Sequence, residues 1–255
     1  MIVNNFLRRG CSGVVFFLCS IANLTALNVG YFYALEADLE PILAVSEKRI
    51  QARVPGATIT EFRIGDHEGF AIQMGSGNVQ TAMSTTQLLA KYSIDLAISV
   101  GPTGNLRDLK VGEIVRVVSG IAFQKTGEQK LEILDPPMGL GAVEALPGVR
   151  LASGEQFINT EADRSALADE TGAEAVDMNL FGLAHVLAKR RIPSLHLRIV
   201  SDHADEAAGE TFLEFVEIYE GELGKQVVEF LQTLEPDPTA PGSYEALREL
   251  GEGED

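Results

Sequence analysis

Two spacings of hydrophobic residues alternate along this chain, and each marks a different kind of element. From Asn28, "NVGYFYAL" is a short apolar and aromatic run, and the acidic stretch "EADLEPILAVSEKRI" behind it predicts a helix over residues 36–50. "ATITEFRIGDHEGFAIQMGSG" predicts two paired strands around a polar turn at Asp66 to Gly69. "NVQTAMSTTQLLAKYS" has apolar residues at helical spacing, and "DLAISVG" reads as a buried strand closed by glycine. Beyond "VGEIVRVVSGIAF" the periodicity is lost from Lys125 to Pro147, a glycine-bearing region with Pro136-Pro137 that is a candidate active-site or interface loop. "VRLASGEQFI" returns to strand character and "TEADRSALADETG" predicts a helix with acidic N-terminal residues. "AVDMNLFGLAHVLAKRR" predicts a longer helix ended near Pro193, "SLHLRIVSD" a strand, and "ETFLEFVEIYEGELGKQVVEFLQTL" one final amphipathic helix.

Strands alternating with helices predict the α/β class, a single domain with a mixed β-sheet covered by helices on both faces. Ligands of such sheets gather at the carboxyl ends of strands. The polar groups there are Asp38 after the first strand, Gly101 to Gly104 after "AISV", Glu155 to Ile158 after "LAS", and Ser201-Asp202 after "LRIV". Each alone is an ordinary feature. "GPTG" suits any tight turn and lacks the lysine of a phosphate-cradling loop, and "SD" behind a strand commonly caps a helix.

Length and charge narrow the picture. A chain of 255 residues with 45% hydrophobic content suits one domain with a sizeable core. The formal net charge of −17 opposes a nucleic-acid backbone or an anionic membrane surface as partner. Much acid sits in the tail from Glu235, so the chain divides into an N-terminal segment 1–26, a domain 27–234 and an acidic tail 235–255. Cys11 and Cys19 complete neither a disulfide framework nor a zinc signature, and the four histidines lack ligand spacing, so no metal or cofactor is expected. Arg8, Arg9, the run "GVVFFLCSIA" and the small residues Ser20-Ile21-Ala22 fit an export signal, which would make the protein periplasmic or secreted. A misassigned start or an extra N-terminal strand would leave it cytoplasmic.

The order of the motifs is more specific than any one of them. "VGYFYALEADLEPIL", "GSGNVQTAMSTTQLLAKYSIDLAISVGPTGNL", "LKVGEIVRV", "ASGEQFI", "AVDMNLFGLAHV" and "RIVSDHADE" together resemble the nucleoside phosphorylase superfamily, most closely its 5′-methylthioadenosine/S-adenosylhomocysteine nucleosidase branch. The resemblance implies a twisted, mostly β core wrapped by helices, a homodimer, and hydrolysis of the bond between ribose and purine in purine metabolism and methionine salvage. It implies that Asp202 protonates ring nitrogen 7 of the base, with Ser201 orienting it. It implies further that Phe157 stacks on the purine, that the backbone of Ile158 bonds the purine edge, that Met178 packs under the ribose, and that Thr103 and Gly104 line the pocket.

Three positions depart from that pattern. Asp38 replaces the glutamate that would activate water. Asp177-Met178-Asn179 stands where the pattern has Glu-Met-Glu, so Asn179 offers an amide to the ribose hydroxyls rather than a charge. Stabilising a cation in the transition state by such a charge is often worth ~3 kcal/mol or more. Pro102 replaces a small hydroxyl residue. These departures keep open an alternative from another class, a nucleoside-binding or storage protein of the same fold with little turnover. A phosphorylase is a further alternative, opposed by "YALEAD" and Ser99 where phosphate-binding arginines would stand.

Overall fold

The sheet is organised around its first strand in a computed structural model that describes residues 26–123, 129–136 and 138–234. The export-type segment up to Ala22 and the acidic tail from Glu235 lie outside the described residues. Strand β1 (Asn28–Tyr33) is buried on both faces. Its alternate residues Val29, Tyr31 and Tyr33 enter one core cluster, and Phe32 enters another on the opposite face.

The remaining strands are β2 (Arg49–Val54), β3 (Ala57–Ile64), β4 (His67–Gln73), β5 (Leu96–Asn105), β6 (Ile114–Ala122), β7 (Gln129–Lys130), β8 (Gly148–Ser153), β9 (Ala175–Asp177) and β10 (Ser194–Asp202). They form one mixed sheet in the order β10-β6-β8-β9-β5-β1-β4-β3-β2, with β7 beside β6. An additional pairing of β10 with β5 closes strands β5, β10, β6, β8 and β9 into a ring. The fold class is therefore the expected one, a single α/β domain with a helix-flanked mixed sheet.

Helices α1 (Leu39–Val45) and α6 (Glu222–Thr233) cover one face through Ile42, Leu223, Val227, Phe230 and Leu231. Helices α2 (Asn78–Lys91) and α4 (Leu180–Lys189) cover the other through Leu88, Leu180, Leu183 and Leu187. Helix α3 (Glu161–Thr171) packs against a third cluster with Leu167 and Ala168, and α5 (Ala208–Ile218) follows β10. Among the described residues no helix is long and apolar enough to cross a membrane.

Five expectations need correction. The helix over 36–50 is only a 3-10 turn at Glu36–Asp38 and α1; the chain then enters β2, whose edge position leaves Arg49, Ile50, Gln51 and Arg53 exposed, so no apolar face marks it as a strand. The turn between β3 and β4 lies at Gly65 and Asp66, where Gly65 has φ 56°, a value that glycine tolerates best. The long helix beginning at Ala175 is the short strand β9 followed by α4. The final helix is two, because Gly221 adopts φ 74° and the Ala37 carbonyl fills the space that a side chain would need there. The region 125–147 also loses its candidate active-site role within the described residues: Leu131 and Val143 are buried in the core, and none of it lines the main cavity.

Candidate active site

A local irregularity at the end of β10 shapes the site. Val200 pairs with Thr103 of β5 but Asp202 pairs with Gly104, so the register slips across Ser201 and re-aims the strand end. Ser201 and Asp202 are both buried. Asp202 Oδ1 accepts the Ala204 N–H at 2.9 Å, an approach for which Ala204 takes φ 52°, uncommon for a residue with a side chain. Ser201 Oγ lies 2.7 Å from Asp202 Oδ2 and 3.2 Å from the Thr103 carbonyl oxygen. Its one proton suits either state of the acid. It is donated to an ionised Asp202, or turned to Thr103 when a protonated Asp202 donates to it. Burial pushes the Asp202 carboxyl above the usual range, against the lowering effect of the Ser201 and Ala204 hydrogen bonds.

The facing wall comes from β8, β9 and the start of α4. After β8 the chain runs through Gly154, where the Phe123 ring occupies the place of a side chain, to Phe157 and the buried Ile158. Phe157 is 40% exposed and meets Phe212 of α5 edge-on at 6.5 Å, forming a rim. At the end of β9, Asp177 Oδ1 accepts the N–H groups of Asn179 and Leu180 at 3.3 and 3.2 Å. It thereby satisfies free donors at the start of α4. Its Oδ2 is ion-paired with Arg198 Nη2 at 2.9 Å and Nε at 3.1 Å.

Arg198 is wholly buried in the middle of β10. Its Nη1 donates to Ser99 Oγ at 3.2 Å, and Ser99 Oγ lies 2.8 Å from His196 Nδ1, whose Nε2 lies 2.9 Å from Ser194 Oγ. Arginine can only donate, so Ser99 Oγ accepts from Arg198, and a neutral His196 bonds one of Ser99 and Ser194 as donor and the other as acceptor. Burial first and the Arg198 charge second pull the His196 pKa down to about 3, so the ring is neutral at any physiological pH.

These walls enclose a cavity of about 730 Å³. Of the residues expected at the site, it brings together Thr103, Gly104, Phe157, Ile158, Met178, Asn179, Ser201 and Asp202. Asp38 is the exception and is corrected here: it is not in the lining. The 3-10 turn behind β1 leaves Ala34 and Leu35 in the cavity wall and rotates Asp38 inward, where Oδ1 accepts the Tyr219 hydroxyl and the Gly224 N–H. Its Oδ2 is buried with no partner among the described residues, and burial raises its pKa to about 6.

Sequence reasoning missed Phe212, Leu213, Gln73, Ser76 and the Arg198 network. The one legible signal was Arg198 itself, a charge inside the apolar run "SLHLRIVSD", which demands a buried partner. Among the described residues, no Lys, Arg or His lines the cavity, and no group of three His, Cys, Asp or Glu could hold a metal ion.

Known proteins resemble this chain in sequence and in fold. A 5′-methylthioadenosine/S-adenosylhomocysteine nucleosidase of Haemophilus influenzae (strain PittEE) is 26% identical over 229 residues, covering 82% of this chain and all of that protein. An aminodeoxyfutalosine nucleosidase of Helicobacter pylori (strain J99) is 25% identical over 216 residues, covering 74% and 92%. In fold, the chain superposes on a variant Helicobacter pylori nucleosidase crystallised with 5′-methylthioadenosine in its active site, with TM-score 0.75, 22% identity, and 81% and 99% of the two chains covered. The nucleosidase of Streptococcus pyogenes in complex with 5-methylthiotubericidin gives TM-score 0.74 at 21% identity, covering 84% and 99%. The family model of the Phosphorylase superfamily matches residues 28–232, nearly the whole described fold, and this chain belongs to that superfamily.

Proposed function

We propose that this protein is a purine nucleoside N-ribosyl hydrolase of the 5′-methylthioadenosine/S-adenosylhomocysteine nucleosidase kind, with the role in purine metabolism and methionine salvage that such substrates imply. The observation that carries the reading is Asp202, a carboxyl group held in a buried bulge, raised in pKa, and set in the same cavity as Phe157 and Ile158. In this reading the purine lies against Phe157 and Ile158, with ring nitrogen 7 toward Asp202. Asp202 gives up its proton as the bond from C1′ to the base breaks, and the electron pair leaves with the base. A neutral leaving group lowers the barrier to that step. Water then attacks C1′, and the proton it loses passes through solvent to the ionised Asp202, which restores the acid.

Water is favoured over phosphate because a dianion would meet no cationic side chain among the described lining residues. The N-terminus of α2, otherwise an anion site, is already taken by Glu155, whose Oε1 accepts the Asn78 N–H at 3.1 Å. One observation favours the second reading, binding without turnover: among the described lining residues the carboxyl groups are Asp177, which is consumed by Arg198, and Asp202, which is the acid of this reading, so no second carboxylate among them stands ready to activate water. The protein also works as a homodimer in this reading, supported by Val79 and Met83, exposed one turn apart on α2.

A nucleoside panel assayed for free base with and without phosphate tests the reaction. Base release independent of phosphate, lost on Asp202→Asn in a folded protein, is the expected result. Nucleoside binding with no release from any member would transfer the case to the binding protein.

A further inference from the structure

Three stretches far apart in the chain line the cavity: 75–77 before α2, 156–158 behind β8, and 177–179 between β9 and α4. Segments next to all three meet at Asn78, the first residue of α2, which is 8% exposed and does not itself line the cavity. Its backbone N–H donates to Glu155 Oε1 at 3.1 Å. Its side-chain Nδ2 donates to the Gly154 carbonyl at 3.0 Å, and its Oδ1 accepts the Gly182 N–H at 2.8 Å and lies 3.4 Å from Ser153 Oγ. These partners fix which way the amide points, because a carbonyl only accepts and a backbone N–H only donates. Ser153, also buried, extends the joint: its Oγ accepts the Phe181 N–H at 2.9 Å and has its own proton left for Asn78.

Strand pairing leaves this joint a task. Strands β8 and β9 run parallel and are last paired at Ser153 and Asp177, with one more backbone bond from the Gly154 N–H to the Asp177 carbonyl at 3.1 Å. Beyond that point the two chains part, one to Phe157 and Ile158, the other to Met178 and Asn179. A single line of contacts lets the two walls pivot about it. Asn78 adds a second point of attachment, and a stiff one, since releasing any of its bonds would leave a buried polar group unpaired.

We propose that Asn78 is a positioning residue, with Ser153 as its relay: it fixes the distance between the wall that holds the base and the wall that holds the sugar, so that an intact nucleoside meets both at once. The proposal rests on the nucleosidase reading for which wall takes which half of the ligand. A nucleoside is two ligands joined by one bond, and the gain from joining them exists only while the two subsites keep the matching separation. A displacement of about 1 Å costs a reaction as much as about 100-fold. A free base, held by one wall, follows that wall.

The variant Asn78→Leu keeps the volume of the side chain and removes its polar contacts. Parent and variant are titrated calorimetrically with 5′-methylthiotubercidin, which lacks nitrogen 7 and so cannot be protonated there, and with its free base, 7-deazaadenine. The Kd of the nucleoside is expected to rise at least about tenfold more than that of the base, and kcat/KM for 5′-methylthioadenosine to fall at least about tenfold. A smaller separation of the two Kd values overturns the proposal, whether both ligands weaken together, as a general loss of structure would cause, or neither does. Where Asn78→Leu does not fold, Ser153→Ala, which removes the branch to Phe181, decides by the same ratio: a shift of at least about threefold supports the proposal and an unchanged ratio overturns it. If the parent cleaves no nucleoside and the ratio still shifts as expected, the hydrolase reading fails and the positioning role stands. A parent that binds neither ligand overturns both.

Discussion

Asp202 and Asp38 are both buried carboxyl groups with raised pKa, and their partners give them opposite roles. Asp202 opens on a cavity and must be protonated to act. Base release should therefore fall as pH rises through its folded pKa, with a one-proton slope on the alkaline limb. Asp202→Asn should lower kcat by about 10²–10⁴ and abolish that limb; a pH–rate profile of both forms checks it. Asp38 faces the core. Its folded pKa of about 6 lies above the ordinary 3.8, so the fold holds its proton more tightly than the unfolded chain does. The associated stability is fully present below the unfolded value, is lost as pH rises from about 4 to about 6, and is absent above. Asp38→Asn keeps an acceptor for Tyr219 and Gly224 without the buried charge. It should stabilise the protein by about 1–3 kcal/mol at pH 8 and by much less at pH 4, while leaving base release within about threefold. Thermal melts at the two pH values, with a turnover assay alongside, decide it. Loss of turnover without loss of fold would return Asp38 to the mechanism.

Elements transmit these placements through their ends. Helix α4 carries Met178 and Asn179 at its start, and that start is fixed from two sides, by Asp177 and by α2. Asn78 Oδ1 accepts the Gly182 N–H at 2.8 Å, and the Asn78 main chain occupies the space that a side chain at Gly182 would fill. Gly182→Ala should force α2 and α4 apart at a cost of about 1–3 kcal/mol. The same shift moves Asn179, so the expected outcome is weaker nucleoside binding together with a lower denaturant midpoint. A drop in stability with unaltered binding would show that the two helices are not coupled to the site. Helix α3 shows how local an element can be: Thr160 caps it by accepting the Asp163 N–H at 3.1 Å, and Gly172 ends it at φ 65°. Both signals stand in "TEADRSALADETG", which is why that helix was legible with its boundaries.

For the whole molecule, the homodimer proposal has a concrete form. Val79 is 69% exposed and Met83 57% exposed on one face of α2. Apolar side chains so placed gain by burial against a second copy. The double variant Val79→Asp, Met83→Asp should sediment as a monomer where the parent sediments as a dimer, with the far-ultraviolet spectrum unchanged. Two species of equal mass would remove α2 from the interface.

The sequence by itself determined the layered α/β class and most strands and helices, because those depend on periodicity, which acts over short stretches; eight of the nine residues that the resemblance singled out, all but Asp38, line one cavity. "SGEQFI", "DMN" and "VSD" are far apart in the chain and legible separately. Only the tertiary structure decided which polar groups remain free to meet a ligand. Strand β9 reads as the start of a helix because three residues are too few to show a period, and it exists by pairing with β5 and β8. Asp38 reads as a strand-end carboxylate, and its loss from the cavity depends on Tyr219 and Gly224, more than 180 residues away. Asp177 stands in the sequence only as the first residue of the triplet with Met178 and Asn179; its carboxylate is spent because the ring of strands sets Arg198 against it and packs Ser99 and His196 behind that arginine. A side chain's chemistry is local, but whether its lone pairs are already occupied is settled by neighbours that the fold alone supplies.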